Sequence, residues 1–335
     1  MPSSDDESNK KESNNHTKSR LLTREPMPPP QRVLVVRKPG DATADRLFEQ
    51  IHEAFENSGI TTVVDSSVAD RCPSEVEVCS AEDLSEVDLD LVITLGGDGT
   101  LLYVCSMFHE TIPPVLSFNV GSLGFLTPFT ADEVDEVIQS VTKGEMDVLE
   151  RVRFTATVYH DGKPTSSFQV MNEVAVDRGY SAFLTQLECT CDGDSLTTVD
   201  GDGIIIATAT GSTAYNLSAG GSVVHPAIPV MVFTPICPHS LSFRPITLPV
   251  DALLSVSVPK GSSSTAWANI DGRYRIELQV GDSIDVIRSP YPLYTVSRRG
   301  GSNDWFTSLR SCLNWNVRIR QKAMQTGFTG RLNPE

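Results

Sequence analysis

Gly96-Gly97-Asp98-Gly99 follows five largely apolar, β-favouring residues, Leu91 to Leu95, and precedes an apolar helical pattern through Phe108. A buried strand thus delivers one carboxylate onto a backbone stripped of side chains. Glycine lets bulky anions approach main-chain amides, and a following helix N-terminus adds positive potential. The turn suits phosphate, yet an acid at its centre repels phosphate unless it binds metal or takes a proton. That combination points to phosphoryl transfer to a hydroxyl. A tight turn with Asp98 as helix N-cap is the competing reading. The stretch is not a Walker A loop, which ends Gly-Lys-Ser/Thr, and it lacks G-x-G-x-x-G spacing.

Four further segments carry polar groups of interest. Asn119-Val120-Gly121-Ser122-Leu123-Gly124-Phe125-Leu126 follows another apolar run. Ligands of open α/β sheets bind beyond the strands' carboxyl ends, so this loop and the Gly96 turn open on one edge. Phe125 fits either a core position or a surface for a base. Asn172-Glu173 interrupts the apolar run 170–176, and adjacent strand residues point to opposite faces. One of them meets a cleft, or both lie on an exposed hairpin edge. The cleft reading has Asn172 reading a base edge and Glu173 taking ribose hydroxyls or a metal.

The longest signal is 200–221, a short apolar strand between two turns rich in Gly, Ser and Thr. It offers small side chains, amides and one aromatic, which is what a sugar and base need. No Ser lies in a G-x-S-x-G elbow, which argues against a hydrolase. His225, His239 and Cys237 lack zinc-site spacing and read as structural. Asp271-Gly272 ends an apolar strand and either turns a hairpin or closes the pocket; the turn is the simpler reading.

Strand patterns at 32–36, 60–64, 91–95 and 115–118 alternate with helical spacing at 45–58, 100–108 and 131–141. Thr130 is placed to cap the last helix, and 65–90 reads as a loop-rich connection. Alternation of this kind implies a mostly parallel sheet with helices on its faces. From residue 150 the chain changes character, with β-branched segments at 153–159, 168–176, 184–191, 203–207, 253–258, 266–270 and 283–287. The expected fold is therefore a Rossmann-like α/β domain at 32–148 and a β-rich, sandwich-like domain at 149–290. A segment at 291–335, helical around Trp305, Phe306, Leu309, Leu313 and Trp315, is expected to pack back on the first domain.

The chain has 335 residues, 39% of them hydrophobic, enough for two domains and a substantial core. With 43 acidic against 27 basic residues its formal charge is -16, which disfavours nucleic-acid and anionic-membrane partners. Seven scattered cysteines suggest a reducing compartment, and the cytosol is the default expectation. No apolar run is long enough to span a bilayer. Residues 1–31 are polar with early acids, lack a signal-peptide segment, and are expected to form a disordered tail.

Gly96-Gly97-Asp98-Gly99, the 119–126 loop, Asn172-Glu173, the 200–221 block with Gly211-Ser212-Thr213-Ala214-Tyr215, and Asp271-Gly272 occur in an order that resembles the ATP-dependent NAD kinases. The resemblance runs from about Arg32 to the end. Residues 233–245 and 289–292, with Asp304-Trp305-Phe306 and Leu313-Asn314-Trp315-Asn316, resemble the eukaryotic branch. Lipid kinases and phosphofructokinase-type enzymes share Gly-Gly-Asp-Gly, whereas the Gly-Ser-Thr-Ala-Tyr block is far more specific. One departure is visible: Ala209 stands where the family usually has proline, which loosens the loop by about 1 kcal/mol at most and removes no catalytic group.

The resemblance implies transfer of the ATP γ-phosphoryl group to the 2′-hydroxyl of the adenosine ribose of NAD. Asp98 would accept the hydroxyl proton. Positioning and charge neutralisation would supply most of the acceleration, with Mg²⁺ on the ATP phosphates and no metal site built by the protein itself. Gly96, Gly97 and Gly99 would meet phosphate. Asn172 and Glu173 would hold the adenosine half of NAD, with Gly99, Phe125, Thr210, Thr213, Ala214 and Tyr215 around that cleft. Asp202 and Ser218 would meet the nicotinamide half, partly across a subunit boundary, so a homo-oligomer (dimer or tetramer) is expected. The alternatives are a lipid kinase of the same superfamily, a non-catalytic NAD sensor and an NADH-preferring kinase.

Overall fold

The structure, a computed structural model, describes residues 24–80, 83–298 and 304–317. A nine-stranded sheet carries the first half. Its parallel core runs Glu77–Cys79, Thr61–Asp65, Arg32–Arg37, Leu91–Gly96 and Val115–Asn119 in spatial order. The order reverses between Arg32–Arg37 and Leu91–Gly96. A crevice forms beyond the carboxyl ends of strands at such a switch point.

Every residue of Leu91–Gly96 is buried, because helices cover both faces of the sheet. Helix α1 (Ala42–Asn57) starts where the Asp41 carboxylate accepts the amides of Thr43 and Ala44. It buries Leu47, Phe48, Ile51 and Phe55. Helix α2 spans Asp98–Met107 and α3 spans Val134–Thr142. A capping box between Thr130 and Glu133 leads into α3 through a short 3-10 turn.

Two six-stranded antiparallel sheets form the second half. They pack face to face over Phe154, Val174, Ile204, Phe233 and Leu254. Helix α4 (Tyr215–Ser218) lies in the connection after Gly203–Thr208, and α5 spans Asp304–Leu313. Asp147–Arg151 and Leu293–Ser297 pair with each other inside the first sheet, so the chain leaves and re-enters it through adjacent strands. Arg153 ties this crossing together. Fully buried, it donates from Nε to the Tyr291 carbonyl at 2.6 Å and from its guanidinium to the Glu110 carbonyl.

Several expectations need correction. Within the expected 1–31 tail, Arg24–Pro26 is a strand paired with residues 147–149, where it gives an edge strand its hydrogen-bond partners; residues 1–23 lie outside the described part. The 65–90 connection holds a fifth parallel strand, Glu77–Cys79, too short to show a period. Helix α2 begins at Asp98, two residues before the expected start, because Gly97 takes the N-cap position. The expected 168–176 strand is two strands in different sheets, Lys163–Val170 and Glu173–Asp177, with a corner between them. Helix α5 meets both halves: Cys312 donates to the Leu123 carbonyl, and Trp305 lies 4.8 Å from the His225 ring.

Candidate active site

Asp98 opens helix α2 at the carboxyl edge of the parallel sheet. Its Oδ2 accepts the Phe125 amide at 3.0 Å, and its Oδ1 accepts the Leu126 amide at 3.0 Å and the Thr127 hydroxyl at 3.3 Å. The loop that supplies these donors is shaped by Asn119. Its Oδ1 accepts the Gly121 amide, and its Nδ2 donates to the Ser122 carbonyl and the Thr127 hydroxyl. Glycine is required at 124, where a Cβ would run into the Asp98 carboxylate, and at 96, where it would meet the Thr100 side chain. Gly96 is accordingly buried, whereas Gly99 is exposed on the rim.

The corner at 171–173 replaces the strand expected there, so Asn172 and Glu173 do not simply alternate between faces. Asp271 reaches this corner from the turn between Ala266–Ile270 and Tyr274–Leu278. Its carboxylate accepts the amides of Met171, Asn172 and Glu173 at 2.7, 2.7 and 3.0 Å. Asp271-Gly272 is thus a hairpin turn, with Asp271 at φ 48 and Gly272 at φ 67, and the Asp271 side chain also binds the corner. Glu173 is 8% exposed, and its Oε2 has no hydrogen-bond partner. Burial, with the neighbouring Asp271 charge, pushes the Glu173 carboxyl up to about 8, against the Tyr215 amide that favours the ionised form. Burial raises Asp271 too, but there the three amide donors oppose it by favouring the ionised form.

The 208–224 segment owes its shape to buried polar side chains. Asn216 donates to the carbonyls of Ser212 and Ser222 and accepts the Thr234 hydroxyl. The Ser212 hydroxyl accepts the Val224 amide. These residues are scaffold. Around them Thr210 is buried, Thr213 and Ala214 are half-buried, and Tyr215 and Ser218 are exposed. The Thr213 hydroxyl donates to the Thr210 carbonyl. Burial and the charges of Asp177, Asp202 and Glu173 raise the Tyr215 phenol, which places it among these carboxylates. Asp202 is held by Arg178 at 2.7 Å. Ser218 ends α4, beyond the bonded set around Asp98 and Glu173.

Arg151 carries no sequence signal of a site. Its guanidinium is buried and donates to the hydroxyls of Thr295 and Thr210 at 3.0 and 3.4 Å. Burial lowers it to about 10, while the charges of Asp98 and Asp304 favour the cation. It lines a small enclosed cavity of about 40 Å³ with Phe125, His225, Asp304 and Trp305. Phe125 therefore faces a cavity rather than the core. A buried arginine in a strand leaves no periodic signal, which is why spacing did not reveal it.

Gly99 opens instead onto a second cavity of about 320 Å³ at the switch point, lined by Lys38, Asp65, Ser67, Val68, Thr100 and Tyr103 among others. Asp65 is 9% exposed, and its Oδ2 has no partner. Among the described residues no three His, Cys, Asp or Glu side chains converge to hold a metal ion, and no helix is long and apolar enough to cross a membrane.

The chain matches two family models, the ATP-NAD kinase N-terminal domain over residues 33–146 and the ATP-NAD kinase C-terminal domain over 171–298. It is 41% identical over 309 residues to a protein of Oryza sativa named probable NAD kinase 2, chloroplastic, covering 88% of this chain and 32% of that protein. It is 45% identical over 253 residues to the NAD(+) kinase of Saccharomyces cerevisiae, covering 71% and 47%. The chain thus spans less than half the length of these two relatives. Among solved structures, yeast NADH kinase complexed with NADH aligns with a TM-score of 0.81 at 34% identity, covering 88% of this chain and 90% of that one. An NAD kinase from Archaeoglobus fulgidus in complex with ATP aligns with a TM-score of 0.64 at 25% identity, covering 84% and 99%.

Proposed function

The chain belongs to the ATP-NAD kinase family, and from that premise we propose that it transfers the γ-phosphoryl group of ATP to the 2′-hydroxyl of the adenosine ribose of NAD. The observation that carries this reading is the fixed Asp98 carboxylate. It begins a helix beside a cavity at the switch point and is bonded to the loop that bears Phe125. Its neighbour Gly99 lines the cavity at the switch point, and its bonded partner Phe125 lines the smaller one, so the carboxylate is tied to residues on both sides.

In this reading the NAD adenosine lies along Phe125, Asn172, Glu173, Thr210, Thr213, Ala214 and Tyr215. The ribose 2′-oxygen forms a bond to the γ-phosphorus as the bond from phosphorus to the β,γ-bridging oxygen breaks. The hydroxyl proton passes to Asp98, and ADP leaves with the bonding electron pair. Arg151, attracted to Asp98, keeps positive potential beneath the transferring group. Glu173, holding its proton, donates a hydrogen bond to a ligand oxygen.

The donor side is the 320 Å³ cavity. Lys38 supplies charge for phosphate, Gly99 opens backbone to it, and Tyr103 and Val68 supply apolar surface for a base. The unpartnered Asp65 oxygen suits a ribose hydroxyl. Mg²⁺ on the ATP phosphates would neutralise their charge during transfer. A homo-oligomer completes the reading, with Asp202 and Ser218 near the nicotinamide half and the exposed Tyr180 and Phe183 supplying contact surface. So does a cytosolic setting, supported by seven unpaired cysteines.

The test is NADP formation from NAD and Mg-ATP by the wild type and Asp98→Asn, with NAD binding measured on both. Turnover lost in a variant that still binds NAD supports the kinase and its base. Tight NAD binding without wild-type turnover would make the protein a sensor. NADH as acceptor in the same assay separates the two kinase preferences.

A further inference from the structure

At the corner 171–173, Met171 and Asn172 lie between strands and Glu173 begins the next one, yet all the peptide groups are paired. The three amides go to the Asp271 carboxylate. The Met171 carbonyl accepts the Thr208 hydroxyl at 2.7 Å, and the Asn172 carbonyl accepts the Thr208 amide at 2.9 Å. The Glu173 carbonyl accepts the Asp271 amide at 3.0 Å. Two residues, about 60 positions apart in sequence, thus satisfy six backbone groups.

Other features of the corner agree. Gly211 packs so closely on the Asn172 peptide that a Cβ there would overlap its carbonyl. The Thr208 hydroxyl also accepts the Gly211 amide at 2.9 Å, joining the corner to the 208–224 segment. Asp271 sits at φ 48, a conformation that Asp and Asn adopt more readily than other side-chain residues. With its main chain fixed in this way, the corner leaves the Asn172 and Glu173 side chains outside that backbone pairing.

The geometry points to Asp271, assisted by Thr208, as a positioning residue that fixes Asn172 and Glu173 for NAD. The inference rests on the NAD-binding reading of that corner. Asp271 touches the main chain and acts through its neighbours. A carboxylate is needed because three N–H donors converge on two oxygens, which an amide, with its single acceptor oxygen, cannot satisfy.

Asp271→Asn tests the clamp without breaking the turn, since Asn tolerates the same φ. Steady-state kinetics, calorimetric NAD binding and hydrogen exchange over residues 170–174 are measured on the full chain. The NAD KM and Kd should rise about 10- to 100-fold. The KM for ATP and kcat should stay within about threefold, and exchange should speed up at the corner. Thr208→Val should move NAD affinity in the same direction. Unchanged NAD affinity in Asp271→Asn, with or without a fall in Tm, would overturn the inference, as would equal losses of affinity for both substrates. A wild type that binds no NAD would instead overturn the functional reading.

Discussion

The Asp98 carboxylate accepts the Phe125 amide at 3.0 Å, so the candidate base and the candidate base-stacking ring are fixed to one another. The bond joins the N-terminus of helix α2 to the loop after Val115–Asn119, two segments carried by adjacent strands. A change in that loop is therefore transmitted to the Asp98 carboxylate through these bonds alone.

Gly124→Ala exploits this relation. The added Cβ would collide with the Asp98 carboxylate and press on the Thr127 hydroxyl. The carboxylate must turn, breaking bonds to Phe125 or Leu126. We expect kcat to fall about 100-fold, since a misplacement of about 1 Å is enough for that, with a smaller effect on NAD Kd. Stopped assays of NADP formation beside NAD titrations check this; an unchanged kcat would separate Asp98 geometry from the loop.

If the 320 Å³ cavity at the switch point takes ATP, its lining residues should split the two substrates. Lys38 is largely exposed and pairs with Asp41 at 3.4 Å, so its removal costs little stability. Lys38→Ala should raise the KM for ATP about tenfold, roughly the value of one charge-assisted hydrogen bond to phosphate, and leave the NAD KM unchanged. Tyr103→Ala should act in the same direction through lost apolar surface. A rise in the NAD KM alone would assign the groove to the acceptor.

Much of this arrangement was legible because it depends on local rules. The parallel strands are continuous apolar runs, α1 and α3 carry caps and amphipathic spacing, and glycines mark the turn at Asp98. What escaped depends on distant partners. The corner at Asn172 reads as strand because its neighbours are β-branched, and it is bent by Asp271 and Thr208, distant in sequence. Arg151 and Arg153 lie in a β-rich stretch where charge suggests an exposed face, yet both are buried at the crossing between halves. Ser212 and Asn216 look like ligand groups in a polar turn but are consumed by the scaffold.

Arg151 should show activity and stability moving apart. Its two hydroxyl contacts and the attraction of Asp98 and Asp304 work against a desolvation large enough to lower it to about 10. Arg151 forms no ion pair within 4.0 Å among the described residues, so an apolar side chain of similar size relieves that desolvation and gives up only the two hydroxyl contacts. Arg151→Met should therefore keep or raise Tm while lowering kcat about tenfold, the cost of roughly 1.4 kcal/mol of lost transition-state stabilisation. A large fall in Tm would mean that the cation is chiefly structural.

Glu173 makes stability depend on pH in a direction opposite to most carboxylates. Its folded value, about 8, lies above the ordinary 4.5, so the native state holds a proton that the unfolded chain releases. The native state therefore binds more protons between those values. Stability is highest below about pH 4.5 and falls as pH rises toward 8, by a few kcal/mol in all. Glu173→Gln keeps the shape and a hydrogen-bond donor but cannot ionise. Its Tm should match that of the wild type near pH 5 and exceed it at pH 8.5. NAD affinity should weaken above pH 8 in the wild type and stay level in the variant. Differential scanning calorimetry and NAD titration across that range check both; a wild type whose Tm rises from pH 5 to 8 relative to Glu173→Gln would show that Glu173 is ionised in the folded chain.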